Sequence, residues 1–141
     1  MHQFYTTCAY FTAAKYMRTV EKFTDKIFEP THLKPAYSYI MMFIQDDNEK
    51  TITNIAQVLG YDRSSVSRMC QKLVQLGYLT ERQFGRSIGF DITNEGEQFL
   101  IIANECLKQL AQATDSVLGS EKKDLTSLLV SSTDKLKEVI D

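Results

Sequence analysis

Between Thr51 and Arg86 the apolar side chains recur at helical spacing in two short blocks and then give way to alternation, with glycine at the changes. In the first block, Thr51-Ile-Thr-Asn-Ile-Ala-Gln-Val-Leu-Gly60, the residues Ile52, Ile55, Ala56 and Leu59 form one apolar face. Thr51 is placed to cap its start, and Gly60 to take the left-handed position past its end. After the turn Gly60-Tyr61, Asp62 stands where a second N-cap belongs, and Val66, Met69, Cys70, Leu73 and Val74 trace a stripe that stops at Gly77. Tyr78-Leu-Thr-Glu-Arg82 and Ser87-Ile-Gly-Phe-Asp-Ile92 then read as two paired strands, joined through Gln83-Phe84-Gly85-Arg86 with Gly85 at the tip. Two short helices, a tight turn and an immediate hairpin constrain the chain to a winged helix-turn-helix.

The polar face of the second helix carries Arg63, Ser64, Ser65, Ser67, Arg68, Gln71 and Lys72. Small hydroxyls near a helix start permit close approach to a groove, while arginine, glutamine and lysine reach base edges and phosphates. Taken alone, such a face is equally well a solvated one. The hairpin that follows favours DNA, because Arg82 and Arg86 near its tip suit a minor-groove or backbone contact.

The charge distribution agrees, although the total of −2 argues against a protein that coats nucleic acid by bulk charge. Residues 61–90 carry five basic and two acidic side chains, whereas residues 91–141 carry five and ten. Positive charge is thus concentrated on the proposed reading helix and wing, and the acidic end is expected to lie away from the phosphates.

The remaining sequence predicts a mainly α chain. A long helix is expected over residues 6–28, with Ala9, Ala13, Tyr16, Val20, Phe23, Ile27 and Phe28 on its apolar side. Pro30 and Pro35 bracket a break, and Pro35 is placed to start a helix that ends in the acidic run Gln45-Asp-Asp-Asn-Glu49. Thr93 is placed to cap a helix through Leu118, with Phe99, Leu100, Ala103, Cys106, Leu107, Leu110, Val117 and Leu118 at helical spacing. At about 1.5 Å per residue that helix exceeds what a small winged domain covers. A last helix carrying Leu125, Leu128, Leu129, Leu136, Val139 and Ile140 has the same excess. An isologous homodimer through the first helix and the last two is the simplest cover for both.

No stretch approaches the roughly 20 apolar residues that span a bilayer, and the start lacks the basic and apolar regions of a secretion signal, so a cytoplasmic protein with no membrane partner is expected. Three cysteines, Cys8, Cys70 and Cys106, have no paired spacing that indicates a disulfide framework or zinc site. His2 and His32 fit no metal-ligand pattern either, so neither metal nor cofactor is expected.

In this order the pieces resemble the MarR family of bacterial transcriptional regulators along almost the whole chain. Thr51–Gly60 looks like the first helix of that family's helix-turn-helix, and Asp62-Arg-Ser-Ser-Val-Ser-Arg-Met-Cys-Gln-Lys-Leu73 like its recognition helix. Leu76-Gly-Tyr-Leu-Thr-Glu-Arg82 leads into the wing, and Ile92-Thr-Asn-Glu-Gly96 starts the dimer helix. The resemblance implies one MarR-like domain over 1–141. Residues 34–93 would form a winged-helix DNA-binding lobe, and residues 1–33 and 94–141 a helical dimerisation lobe. It also implies that Ser64, Ser65, Ser67, Arg68 and Lys72 lie in or beside the major groove, with Arg86 as the wing arginine. The wing departs from the family pattern: Gln83-Phe84-Gly85-Arg86-Ser87 replaces an Asp-x-Arg tip, which removes the acidic partner of the usual buttressing salt bridge.

The implied function is a sequence-specific regulator, a repressor that binds a near-palindromic double-stranded operator and is released by a small-molecule or oxidant effector. Cys8 falls where the peroxide-sensing branch of the family has its reactive cysteine, and Tyr37 near a tyrosine that binds the thiolate; the alternative is that Cys8 is a small buried hydrophobe at the dimer interface. Cys70 and Cys106 lie within apolar stripes and read as core. The aromatic group of Phe4, Tyr5, Tyr10, Phe11, Tyr16, Phe23, Tyr37, Tyr39 and Phe43 is either core or the wall of a pocket for a small aromatic ligand. Two rival functions are a winged-helix protein-interaction module without DNA binding, and a thiol-based enzyme, for which no nucleophile and base converge.

Overall fold

The computed structural model describes residues 1–46 and 50–140. Its elements are α1 (Phe4–Thr7), α2 (Ala9–Ile27), a 3-10 turn (Glu29–Thr31), α3 (Pro35–Asp46), α4 (Ile52–Leu59), α5 (Arg63–Gln75), β1 (Leu79–Phe84), β2 (Ser87–Ile92), α6 (Asn94–Leu118) and α7 (Glu121–Ile140). This is the expected mainly α architecture with one small antiparallel hairpin. The chain packs as two compact units, Met1–Cys106 and Leu107–Asp141.

The core of the first unit is built by the stripes read from the sequence. Ile40, Met41 and Ile44 from α3, Ile55 and Ala56 from α4, and Val66, Cys70 and Leu73 from α5 close on Leu79, Phe90, Phe99, Leu100 and Ala103. Each fully buried Val, Leu or Phe in such a cluster is worth about 1.5–3 kcal/mol of transfer free energy, which holds these short helices where propensity alone would not.

The helix ends are set by side chains. Thr51 accepts the Asn54 N–H through Oγ1 at 3.2 Å and starts α4, and Gly60, at φ +78°, ends it. The end of α5 is a Schellman motif: the Tyr78 N–H reaches the Leu73 carbonyl at 2.9 Å, the Gly77 N–H reaches Val74 at 3.0 Å, and Gly77 sits at φ +84°. Thr93 Oγ1 accepts the Gly96 N–H at 2.9 Å, so it caps α6 as expected.

The hairpin differs from the sequence reading in length. β1 continues through Gln83 and Phe84, and Phe84 pairs with Ser87, so only Gly85 and Arg86 remain in the loop. A positive φ at Gly85 alone is the pattern of a type II′ turn, whose twist matches that of the flanking strands. The register places Arg82 opposite Gly89 and Thr80 opposite Asp91. A third segment, unforeseen, joins the ladder: Thr51 bridges Gly89, and the Phe90 N–H donates to the Lys50 carbonyl at 3.2 Å.

The expected helix over residues 6–28 is interrupted. α1 ends at Thr7, Cys8 is extended at φ −94° and ψ 115°, and α2 begins at Ala9 with the Cys8 sulfur accepting the Phe11 N–H at 3.5 Å. The hydroxyls of Thr6 and Thr7 both donate to the Gln3 carbonyl, a local alternative to continuing the helix ladder. α3 begins at Pro35 as read; of the acidic run expected to end it, residues 47–49 lie outside the described residues. In the second unit, Lys122 joins the last turns of α6 to α7 through Asp115 at 2.9 Å and the Ala111 carbonyl at 3.2 Å, around Gly119 at φ +61°. Among the described residues no helix is long and apolar enough to cross a membrane.

Candidate nucleic-acid interface

The amphipathic division of α5 sorts the named residues. Val66, Cys70 and Leu73 are fully buried, whereas Arg63, Ser64, Arg68, Gln71 and Lys72 are exposed, and Ser65 and Ser67 are half-buried. Ser64, Arg68 and Gln71 follow one another at spacings of four and three, so they lie along one line of the helix surface.

Asp62 organises the start of that surface. One carboxylate oxygen accepts the Ser65 N–H at 2.8 Å and the Ser64 hydroxyl at 2.7 Å, and the other accepts the Ser65 hydroxyl at 2.9 Å. The Ser64 hydroxyl, the Ser65 N–H and the Ser65 hydroxyl hold the Asp62 carboxyl at about 2, below its ordinary 3.8. Ser65 Oγ in turn accepts a hydrogen bond from Arg68 Nη2 at 3.2 Å. The chain Asp62–Ser65–Arg68 therefore aims the guanidinium before any ligand is met. A reading side chain that is already oriented loses less entropy on binding.

Lys72 is drawn elsewhere. Its ammonium lies 5.5 Å from the centre of the Tyr37 ring, at the rim of a cleft formed with the end of α2 and the start of α3.

In the wing, Arg86 occupies the exposed tip, next to Gly85, whose carbonyl accepts from Gln83 Nε2 at 2.8 Å. Arg82 is held within the hairpin. Its Nε lies 2.8 Å from Asp91 Oδ2, and its guanidinium sits 4.4 Å from the centre of the Phe84 ring. The Phe84 ring covers Gly89, where a Cβ would collide with it and stand 2.8 Å from the Lys50 carbonyl. The wing thus has a salt bridge on its strands in place of the one its tip lacks. The sequence reading places Gln83 and Phe84 in the loop, and that hides the register which brings Asp91 and Phe84 to Arg82.

Cys8 and Tyr37 are not brought together within one chain. Tyr37 borders the cleft with Lys22 and Lys26, while Cys8 lies fourteen or more residues back along α2, roughly 20 Å at the helical rise. Cys70 and Cys106 are buried, as expected of core residues. The aromatic group does not form a common wall: Phe4, Tyr5, Tyr10, Tyr16 and Phe23 are exposed, whereas Tyr39 and Phe43 are half-buried.

Comparison with known proteins places this geometry. The MarR family model matches residues 33–86, from the residues before α3 to the tip of the wing. Comparison with curated protein sequences gives no match. Among solved structures, the transcriptional repressor CouR bound to a 23-mer DNA duplex superposes with a TM-score of 0.83 at 19% identity, covering 93% of this chain and 96% of that one. The M. tuberculosis transcriptional regulator MosR in complex with DNA gives 0.75 at 17% identity over 90% and 97%. A mutant MarR from E. coli complexed with operator DNA gives 0.77 at 14% identity over 94% and 99%. CouR is also known bound to p-coumaroyl-CoA, and that structure superposes at 0.82 with 18% identity over 94% and 96%.

The family match bears out, over residues 33–86, the resemblance drawn from the sequence, and the neighbours share the winged-helix fold.

Proposed function

We propose that this chain, which carries the MarR family's helix-turn-helix and wing, is a sequence-specific transcriptional repressor that binds a near-palindromic operator as a homodimer. The observation that carries the reading is the Asp62–Ser65–Arg68 relay, which orients a guanidinium on the exposed face of a helix whose other face is core. In this reading Arg63, Ser64, Ser65, Ser67, Arg68 and Gln71 face the major groove, Lys72 and Arg82 reach phosphate at its edge, and Arg86 enters the adjacent minor groove. Residues 34–93 act as the DNA-binding lobe, and the flanking helices as the dimerisation lobe. α2 exposes Tyr10, Met17 and Phe23, and α7 exposes Leu128, Leu136 and Val139, apolar surface that a second copy would cover.

Release by a small molecule is the mode of control this reading favours, with an oxidant acting at Cys8 as the second. Cys8 supports the latter as the extended, half-exposed N-cap of α2, where its sulfur accepts the Phe11 N–H. The test is binding of the purified chain to DNA from its own upstream region against scrambled DNA, with and without a hydroperoxide. Specific binding at two half-sites one helical turn apart supports the proposal. Binding that does not distinguish the two DNAs, at any salt concentration, favours a protein-interaction module.

A further inference from the structure

The first unit contains a cleft of about 730 Å³ between the end of α2, the 3-10 turn, the start of α3 and the last turns of α5. Its size is that of a site for a small organic molecule rather than a single ion. The lining is unusual for a chain of net charge −2. Lys22, Lys26, Lys34 and Lys72 contribute four ammoniums, against the carboxylates of Asp25 and Glu29. Lys22 and Lys26 are four residues apart on α2 and so share one face. Pro35 at the first position of α3 brings the positive end of that helix to the same cleft.

Only one of the four lysines is neutralised by a salt bridge among the described residues, Lys34 at 3.1 Å from Asp25 Oδ2. The other oxygen of that carboxylate, Asp25 Oδ1, is buried and has no hydrogen-bond partner. A buried acceptor in that condition is matched by a donor. The Tyr37 ring and Leu33 supply a flat apolar border.

We propose that this cleft binds a small organic polyanion, phosphorylated or polycarboxylate, that also carries a hydroxyl or N–H donor. Lys22, Lys26 and Lys72 take its charge, and its donor meets Asp25. The linkage to control rests on the function proposed above. Lys72 belongs at once to the cleft and to the recognition helix, so an anion that captures its ammonium withdraws it from DNA phosphate. By reciprocity, DNA then weakens the anion.

The anion-binding measurements need no DNA and so fail or succeed independently of that function. The full chain is titrated calorimetrically at 0.15 M salt with adenosine triphosphate, as the phosphate probe, and with citrate, as the carboxylate probe. Saturable binding of one of them identifies which chemistry the site takes. The variant Lys22→Gln/Lys26→Gln is expected to bind it about tenfold or more weakly, as loss of charge-assisted hydrogen bonds implies. Lys72→Gln is expected to weaken it also, and Lys123→Gln/Lys135→Gln, on α7, to leave it unchanged, with all variants showing the wild-type circular dichroism. The proposal is overturned if neither probe saturates, if the α7 variant loses as much as the cleft variant, or if the cleft variant binds as the wild type does. Loss of DNA affinity in the cleft variant, with no anion bound by the wild type, would assign the cleft to DNA phosphate instead.

Discussion

Arg82 Nε lies 2.8 Å from Asp91 Oδ2 on the opposite strand, two register positions from its direct partner Gly89 and so on the same face. With its guanidinium also on Phe84, Arg82 works first as a strut of the wing. Asp91→Asn is therefore expected to lower stability by under about 1 kcal/mol, as for an exposed ion pair. Amide exchange in β1 and β2 is expected to quicken, and DNA affinity to fall. Exchange rates equal to the wild type would show that Phe84 alone holds the arginine.

Arg86, at the tip, has a different expected signature. Arg86→Ala should leave the unfolding midpoint where it is, lower affinity evenly across operator sequences and reduce the salt slope by about 1. Affinities measured on a panel of half-site variants check this, and a loss confined to particular bases would mean that the wing reads sequence.

The relay on α5 yields a prediction with a pH dependence. The Asp62 carboxyl titrates at about 2 in the fold against 3.8 ordinarily, so its contribution is fully present above about pH 4–5 and fades as pH falls through 2. Denaturant unfolding of Asp62→Ala should show a deficit against wild type at pH 7 that shrinks toward pH 2. The same variant releases Ser65 and hence Arg68. Specific DNA binding at pH 7 should then fall toward that of Arg68→Ala, itself expected to cost about 1–3 kcal/mol and to relax base discrimination if the guanidinium makes a bidentate base contact. A pH-independent deficit would separate the cap from the charge.

Much of this was legible in the sequence because each signal is local. Thr51, Asp62 and Thr93 as caps, and Gly60 and Gly77 past helix ends, are decided by residues within four positions, and the structure has them in those roles. Contacts across longer separations were not legible. The pairing of Lys50 and Thr51 with β2 depends on where α3 delivers the chain, and the Lys72–Tyr37 contact on how α5 packs beside α3. The break at Cys8 was hidden because the apolar period runs through it, while the threonine hydroxyls that compete with the helix ladder carry no periodicity of their own.

Two glycines report on packing of the wing root rather than on turns. A Cβ at Gly96 would run into the Tyr78 carbonyl, and one at Gly89 into the Phe84 ring and the Lys50 carbonyl. Phe84 is a side chain that can swing aside, whereas a backbone carbonyl cannot. Gly96→Ala is therefore expected to be the more destabilising, by about 1–3 kcal/mol or more, with Gly89→Ala milder but loosening the wing. Chemical denaturation of the two variants gives the order, and the reverse order would show that α6 shifts more easily than the hairpin.

The three thiols differ in environment enough to be told apart by rate. Burial pushes the Cys70 thiol up to about 12, and Cys106 is raised by burial and by the neighbouring Glu105 carboxylate. Neither presents a thiolate near neutral pH. Cys8 is half-exposed at the N-cap of α2. A native-state titration with an aromatic disulfide reagent at pH 7.5 should thus show one fast thiol, lost in Cys8→Ser, and two more only on unfolding. The fast thiol is what an oxidant would meet, so Cys8→Ser also decides between the two modes of control. A regulator that a hydroperoxide still releases after that substitution does not sense it through Cys8, whereas release abolished with DNA affinity intact assigns the sensor to Cys8.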